Sequence, residues 1–195
     1  MGVSLKKGQK VSLKKVAPGL TALIAGLGWD PRKTEGVKFD LDVSMFLVGA
    51  DGKVPGGDTD YFVFYGNPTG PNDSVIHQGD NRDGSGEGDD EQVMVDLTTI
   101  PDNVEKIVIA VSIDEAEDRG QNFGQVDNAY VRLVNPENDE EVLKYDLSED
   151  ACIETAMIFA ELYKHNGDWK FNPVGQGYAG GFRALVEEYG IEVDD

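Results

Sequence analysis

Short runs in which apolar and polar residues alternate are the feature that most limits how this chain can fold. The clearest run, VKFDLDVSMFLVG, extends from Val37 to Gly49. Every second position in it is apolar, at Val37, Phe39, Leu41, Val43, Met45 and Leu47. The positions between them begin with Lys38, Asp40, Asp42 and Ser44. Because successive side chains of a β-strand point to opposite faces, this pattern predicts a strand with one face in the core.

Similar runs recur along the chain and are separated by clusters of turn-forming residues. The further strands that we predict are VSLKK, LTALIAGLGW, DYFVFYGN, EQVMVDL, VEKIVIAVSID, NAYVRLVN, EEVLKYDL, TAMIFAELYKH and DWKFNPVG. The last two flank Asn166-Gly167, a dipeptide typical of two-residue hairpin turns. This turn favours strand over helix for TAMIFAELYKH, although that run also contains helix-forming residues.

Only GGFRALVEEYG, residues 180–190, has its apolar residues at helical spacing. Many short strands with little helix are typical of two packed antiparallel sheets. The sequence therefore predicts one all-β domain, residues 1–195, folded as an antiparallel β-sandwich or jelly roll with a short C-terminal helix.

The charge balance of the chain is strongly acidic. Its 195 residues include 37 Asp and Glu but only 17 Lys and Arg, which gives a formal charge of −20. Such a field repels the phosphates of nucleic acids and of anionic lipids, so we expect no nucleic-acid partner. Bound cations or a basic partner surface would relieve the repulsion within the folded chain.

The single cysteine, Cys152, excludes an internal disulfide and a thiolate metal cage. The chain contains neither a signal-peptide pattern near Met1 nor an apolar stretch of membrane-spanning length. We therefore expect a cytoplasmic protein.

An acidic loop, GDNRDGSGEGDDE at residues 79–91, is the strongest candidate for a functional segment. It combines six carboxylates with four glycines and contains no apolar side chain. Calcium takes six to eight oxygen ligands, and glycines let a chain curl closely around such an ion. The loop does not fit the EF-hand spacing, and composition alone also allows a solvated linker. The choice between a cation site and a linker stays open at this point.

Asp40 and Asp42 add weight to the cation site. Aspartate disfavours strands, so two of them on one strand face suggest a role beyond solubility. Their short side chains keep the carboxylate oxygens near the backbone, where these could meet the acidic loop at a sheet edge. Lys38 on the same face leaves a merely solvated face as the alternative.

The chain resembles the tellurite-resistance TerD family of bacterial stress proteins. The resemblance rests on GVSLKKGQKVSL, GLGWD, FDLDVSMFL, DYFVFYGNP, GDNRDGSGEGDDE, KIVIAVSID, QNFGQVDNAYVRL and YDLSEDACIETAMIFAELYKHNGDWKFNPVGQGYAGG, which lie in this order between residues 2 and 181. It implies a β-sandwich that binds Ca²⁺ at two neighbouring sites, built largely from the acidic loop. It also implies a role in resistance to tellurite, phage and pore-forming colicins, within a multi-protein system that has a membrane component.

The resemblance also implies a ligand set. Matched to the family motif, the side-chain ligands are Asp80, Asn81, Asp89, Asp90 and Glu91, while Gly84 and Gly86 offer carbonyl oxygens. Asp40 and Asp42 match the family's strand and would complete the site. Glu87 and Asp83 are second choices, and Asp83 stands where the family usually has Thr. Asp30 is a further candidate.

We expect a non-enzymatic Ca²⁺-dependent scaffold or sensor whose partners are other proteins of the tellurite-resistance system, including its membrane component. The alternatives are a C2-like module docking through calcium on the inner face of the membrane, and a hydrolase with structural calcium. His77, His165 and Cys152 show no catalytic or zinc spacing. The acidic run at residues 114–118 is interpreted as a solvated turn.

Overall fold

Two six-stranded sheets make up the framework of the protein. The computed structural model describes residues 2–32, 35–85, 88–147, 153–178 and 180–193. The strands are β1 (Val3–Leu5), β2 (Val11–Ser12), β3 (Ala22–Gly28), β4 (Leu41–Val48), β5 (Phe62–Val63), β6 (Val75–His77), β7 (Glu91–Asp96), β8 (Lys106–Ile113), β9 (Tyr130–Asn135), β10 (Glu140–Asp146), β11 (Ala156–His165) and β12 (Asp168–Gly177). The helices are α1 (Leu13–Val16), α2 (Ala116–Arg119) and α3 (Gly181–Glu188), with 3-10 turns at Pro55–Gly57, Thr59–Tyr61, Pro71–Asp73 and Phe123–Gln125.

The first sheet has the strand order β1-β10-β9-β3-β7-β6, and the second has the order β2-β12-β11-β8-β4-β5. Every described strand pair is antiparallel except β1 with β10. Apolar side chains from both sheets form one core cluster, which includes Leu27, Val93 and Leu133 of the first sheet and Val43, Ile109 and Phe159 of the second. The predicted all-β sandwich with mainly antiparallel strands is confirmed.

Strand β4 follows the alternation predicted for it, but it begins at Leu41 rather than at Val37. Leu41, Val43 and Met45 lie in the core between the sheets. The opposite face carries Asp42 at its first end and changes to the buried Phe46 further along. This outer face is therefore polar only near the start of the strand.

Helix α3 covers the apolar part of that outer face. Leu185, Val186 and Tyr189 pack in a second cluster with Phe46 of β4 and Val108 of β8. The predicted C-terminal helix is confirmed, and its apolar stripe shields this outer face of the sheet from solvent. No helix in the described parts of the chain is long and apolar enough to cross a membrane.

The hairpin formed by β11 and β12 turns at Asn166 and Gly167, which have φ angles of 54° and 73°. Both residues therefore occupy the left-handed region that a type I′ turn requires. The choice of strand over helix for this segment is confirmed.

The predicted strand DYFVFYGN was too long, because only Phe62–Val63 pairs as β5. The side-chain amide of Asn67 donates to the carbonyls of Thr59 and Phe62, and Phe64 bridges Asn67. These local bonds curl the segment into turns on both sides of a short strand.

Candidate metal centre

The segments predicted to bind a cation lie at one end of the sandwich. Strands β4 and β7 begin at this end and β8 finishes there, since β4 and β8 run antiparallel with Asp42 opposite Ser112. The backbone N–H of Asp114 donates to the carbonyl of Asp40 at 2.9 Å, which extends the pairing beyond β8. The acidic loop enters β7 at Glu91.

Three carboxylates converge at this end. Oxygen atoms of Asp40, Asp42 and Asp80 lie within 4.8 Å of one another, the only such group of acidic, histidine or cysteine side chains among the described residues. The Oδ1 atom of Asp40 is buried and has no hydrogen-bond partner among the residues that the structure describes. A buried oxygen without a donor is costly, and a bound cation would satisfy it.

Burial and mutual repulsion perturb two of these carboxyl groups. Burial first, and then the nearby carboxylates of Asp80 and Asp114, raise the pKa of Asp40 to about 6. Burial, followed by the charges of Glu91 and Asp40, raises the pKa of Asp42 to about 8. Neighbouring groups of the protein therefore do not supply enough positive charge to neutralise these two carboxyls.

The three aspartates line an open cavity of about 420 Å³. Its walls carry five carboxylates and three basic groups, at Asp40, Asp42, Asp80, Asp114, Glu115, Lys38, Arg82 and Arg119. The carboxylates therefore outnumber the basic groups, and a bound cation would offset the excess negative charge. Asp114 and Glu115 were missed by the sequence interpretation, which placed them in a solvated turn. No local signal in the sequence marks Asp114, because its approach to Asp40 follows from the long-range pairing of β8 with β4.

Arg82 and Arg119 are paired with acids of the cavity, and Lys38 is paired with an acid outside it. Arg82 donates to Asp80 at 3.0 Å. Arg119 donates to Asp114 at 3.3 Å and to Glu115 at 2.7 Å. Lys38 forms an ion pair of 2.5 Å with Asp83, whose pKa this hydrogen bond lowers to about 2. These basic side chains act as counterions for the carboxylates.

Glu91 lies beneath the aspartates, inside the sandwich. Its Oε2 accepts a 2.7 Å hydrogen bond from the N–H of Val43. Its Oε1 is buried and has no partner in the described segments. His77 is equally buried, with its Nε2 3.8 Å from the same Oε2. Burial is the main cause that raises the pKa of Glu91. Glu91 thus supplies a second unsatisfied oxygen next to Asp42.

Asp89 points away from the aspartates onto the outer face of the first sheet. Its Oδ1 accepts from Arg132 Nε at 2.7 Å and from the Tyr130 hydroxyl at 3.1 Å, and its Oδ2 accepts from Gln92 at 3.2 Å. The carboxylate lies directly over Gly26, where a Cβ would approach it to 2.1 Å. These contacts anchor one end of the acidic loop to the sheet.

Asn81 and Asp90 organise the loop from within. The Oδ1 of Asn81 accepts from the N–H groups of Asp83 and Gly84, and its Nδ2 donates to Asp90 at 3.1 Å. The other oxygen of Asp90 accepts from the N–H of Trp29 at 2.9 Å. Their role as ligands stays a prediction, because their polar atoms here join protein groups.

The remaining predicted positions lie apart from the aspartates or outside the described residues. Gly84 packs against the indole of Trp29. Asp30 accepts from the side chain of Asn128 at 2.8 Å. Gly86 and Glu87 lie outside the residues that the structure describes.

The donor set of the cavity consists of carboxylate oxygens. Hard oxygen donors suit Ca²⁺ and Mg²⁺, whereas zinc sites use mainly nitrogen and sulfur. Fold and site together define a β-sandwich with an acidic, oxygen-lined pocket at one end.

Comparison with known proteins places this sandwich in a family. The TerD domain matches residues 1–189, and the chain belongs to the TerD family. The chain is 54% identical over 191 residues to tellurium resistance protein TerD of Serratia marcescens, with 98% of each chain covered. It is 52% identical over 194 residues to general stress protein 16U of Bacillus subtilis, covering 99% of this chain and 100% of the relative.

A solved structure gives the same fold. The crystal structure of a homologue of telluride resistance protein (TerD) from Streptomyces coelicolor A3(2) superposes with a TM-score of 0.69 at 20% identity. The superposition covers 89% of this chain and 100% of the other. At that identity the likeness concerns the fold alone.

Proposed function

We propose that this protein is a non-enzymatic, calcium-binding stress-response protein that acts as a scaffold or sensor. The observation that carries the proposal is the convergence of Asp40, Asp42 and Asp80, with a buried Asp40 oxygen that lacks a partner. The stress-response role is supported by relatives named for tellurium resistance and for general stress.

Calcium fits these residues better than magnesium does. Asp40, Asp42 and Asp80 would hold the ion, and Asp114 lines the same cavity. Calcium accepts six to eight oxygens in flexible geometry, whereas magnesium requires a compact octahedron and retains its waters. A wide cavity with several carboxylates suits the larger and more flexible coordination of calcium. A second ion remains part of the proposal, with Asn81 and Asp90 at the nearest predicted position.

Cation binding would link two separate segments of the chain. Asp40 and Asp42 belong to β4 and its entry, while Asp80 belongs to the acidic loop. An ion shared by these carboxylates would fasten the loop to the second sheet and remove repulsion at this end. The loop would then present a defined surface to other proteins of the tellurite-resistance system, which we propose as partners in the cytoplasm or at its membrane.

Isothermal titration calorimetry with Ca²⁺ and Mg²⁺ tests the proposal. We expect calcium binding by the wild type that is weakened at least about tenfold in Asp42→Asn and Asp80→Asn, since each substitution removes a direct charge on the ion. Asp102→Asn is the matched control, because Asp102 is exposed and lies between β7 and β8 at the opposite end. A wild type that binds no calcium, or variants that bind as tightly, would contradict the proposal.

A thermal measurement provides a second readout. Calcium at one hundred times its Kd should stabilise the fold by about 2.7 kcal/mol through mass action. The stabilisation should be lost in Asp42→Asn and retained in Asp102→Asn. To test the scaffold role, a pull-down with wild-type bait should retain partners in calcium and release them in EGTA, whereas Asp42→Asn should retain none in either condition.

A further inference from the structure

We call the cavity lined by Asp40, Asp42 and Asp80 the cation cavity. A second, smaller pocket lies beside it, between the outer face of β4 and the start of α3. Its volume is about 150 Å³, and it is lined by Asp42, Ser44, Phe64, Tyr65, Ser112, Ile113, Asp114, Glu115 and Phe182. We call it the aromatic pocket. Among the described residues that line it, three are carboxylates, three carry aromatic rings, two are serines, and none is lysine or arginine.

The rings of the aromatic pocket form an ordered wall. Phe64 contacts Tyr65 edge to face, with ring centroids 5.3 Å apart, and stacks on Phe62 at 4.7 Å. Phe182, in the first turn of α3, reaches Phe62 at 6.1 Å. Aromatic faces carry partial negative charge and attract cations, most strongly where water is excluded.

The floor of the pocket contains an unsatisfied polar group. Ser44 is 1% exposed, and its Oγ has no hydrogen-bond partner within the described parts of the chain. It lies two positions along β4 from Asp42, on the same strand face. A hydroxyl buried without a partner costs free energy that a hydrogen-bonding ligand would recover.

These features together select one ligand chemistry. Carboxylates and a hydroxyl oxygen accept hydrogen bonds from an ammonium group, and aromatic rings contact both an ammonium group and its alkyl chain. An anion would meet three carboxylates. Arg119 pairs with Asp114 and Glu115, so Asp42 is the carboxylate that a neutral apolar ligand would leave uncompensated. The N-terminus of α3 contributes only a partial positive charge, which the carboxylates outweigh.

We propose that the aromatic pocket binds a protonated alkylamine. The ammonium group contacts the carboxylates of Asp42 and Asp114 and the hydroxyl of Ser44, and the alkyl chain lies between the rings of Phe64 and Phe182. The volume equals that of about five water molecules, which limits the ligand to a short chain of the size of butylamine or of a lysine side chain. The site is distinct from the cation cavity, although the two share Asp42, Tyr65, Asp114 and Glu115.

Titration of the full chain with n-butylammonium chloride tests the proposal. The experiment is run in EGTA, so that its outcome does not depend on calcium binding, and at pH 8.5, which lies above the raised pKa of Asp42. We expect saturable ¹H–¹⁵N chemical-shift changes centred on Ser44, Ile113 and Phe182. The neutral probe n-butanol, which has the same chain length, should bind at least about tenfold more weakly because it lacks the charge. Equal binding of the two probes, or butylammonium shifts that do not saturate, would overturn the proposal.

A matched pair of substitutions locates the binding site. Glu115→Gln removes a carboxylate from the pocket and should weaken butylammonium binding about threefold or more. Glu117→Gln removes the same charge from an exposed position of α2 outside the pocket, and should leave the affinity unchanged. Phe182→Leu keeps an apolar side chain but removes the ring, and should also weaken binding. If Glu115→Gln and Glu117→Gln bind butylammonium with equal affinity, only the net charge of the protein matters. That result would overturn the proposed binding site.

The source of the amine is distinguished by a third probe, Nα-acetyl-lysine N-methylamide. Binding at least as tight as that of butylammonium, with the same shifted residues, assigns the pocket to a lysine side chain of a partner polypeptide. Binding of butylammonium alone assigns it to a free small amine.

Discussion

Arg119 donates to Asp114 at 3.3 Å and thereby holds a carboxylate of the cation cavity with a guanidinium group of the protein itself. The same guanidinium donates to Glu115 at 2.7 Å, and both acids line the cavity. Glu115 adopts a left-handed φ of 46°, which is uncommon for a residue with a side chain. Arg119 therefore occupies the position of a counterion and competes with any cation that enters.

Replacing Arg119 should strengthen calcium binding. In Arg119→Gln the ion no longer meets a positive charge at the cavity wall, and Asp114 becomes free to approach it. We expect the calcium affinity to rise about threefold to tenfold, as measured by calorimetry at low ionic strength, with a smaller gain at high salt.

Arg183→Gln is the control for this prediction. Arg183 pairs with Glu187 on α3 at 3.0 Å, away from the cavity, so this substitution changes the net charge equally. An affinity in Arg119→Gln that equals or falls below that of Arg183→Gln would show that Arg119 does not compete with calcium.

Calcium binding should strengthen as the pH rises from about 5.5 to about 8.5. The pKa of Asp40 is raised to about 6 and that of Asp42 to about 8, so protons occupy these carboxyls in the cation-free protein within this range. Calcium requires the ionised forms and must displace those protons. Calorimetry in two buffers with different ionisation enthalpies should reveal proton release at pH 7, and none at pH 9.5.

The stability of the cation-free protein should change with pH in the opposite direction. The unfolded chain releases the protons of Asp40 and Asp42 near their ordinary pKa of 3.8, whereas the folded chain keeps them up to about pH 6 and pH 8. The folded state therefore binds more protons between these values, and the contribution of both groups to the free energy of unfolding falls as pH rises through the window. Urea denaturation in EGTA, with Asp42→Asn as the control for the upper part of the window, measures this contribution.

The local pattern of the sequence predicted the strands well. The site residues that come together through long-range strand pairing could not be predicted from it. The alternation around Asp40 and Asp42 placed both on one strand face, and the acidic loop was recognised as the partner segment. Asp114 was missed because its approach to Asp40 depends on the register between β8 and β4, which no local pattern contains.

Long-range contacts also decide the surroundings of Asp89. Composition could not distinguish its contact with Arg132, which lies far along the chain, from a direct role at the ion. The outer face of β4 could not be predicted for the same reason. It changes from the polar Ser44 to the apolar Phe46 because α3 covers the face at Phe46, and this contact is long-range. In each case the sequence gives the residue types but does not indicate which distant strand or helix contacts them.

Helix α3 should be an integral part of the fold. Leu185 is fully buried against the outer face of the second sheet, so Leu185→Ala should lower the free energy of unfolding by about 2–5 kcal/mol. Glu188→Ala, on the exposed side of the same helix, should change it by less than about 0.5 kcal/mol. Chemical denaturation measures both, and a Leu185→Ala protein as stable as the wild type would mean that α3 detaches in solution.

Substituting Asp89 and Asp42 should affect stability with opposite signs. Asp89 is buried and accepts from Arg132, Tyr130 and Gln92, so Asp89→Asn should cost about 1.5–3 kcal/mol through weakened charge-assisted hydrogen bonds. Asp42→Asn should instead stabilise the cation-free protein at pH 9, because burial and neighbouring carboxylates disfavour the ionised form of Asp42.

Melting curves with and without calcium separate anchoring from ion binding. If Asp89 only anchors the loop, Asp89→Asn should lower the Tm in both conditions while keeping most of the calcium-induced rise. Asp42→Asn should remove that rise. If Asp89→Asn instead loses the calcium-induced rise in Tm, Asp89 is a ligand of the ion. Losing only the anchor to Arg132 would leave the aspartates of β4 able to bind calcium, so the rise in Tm would remain.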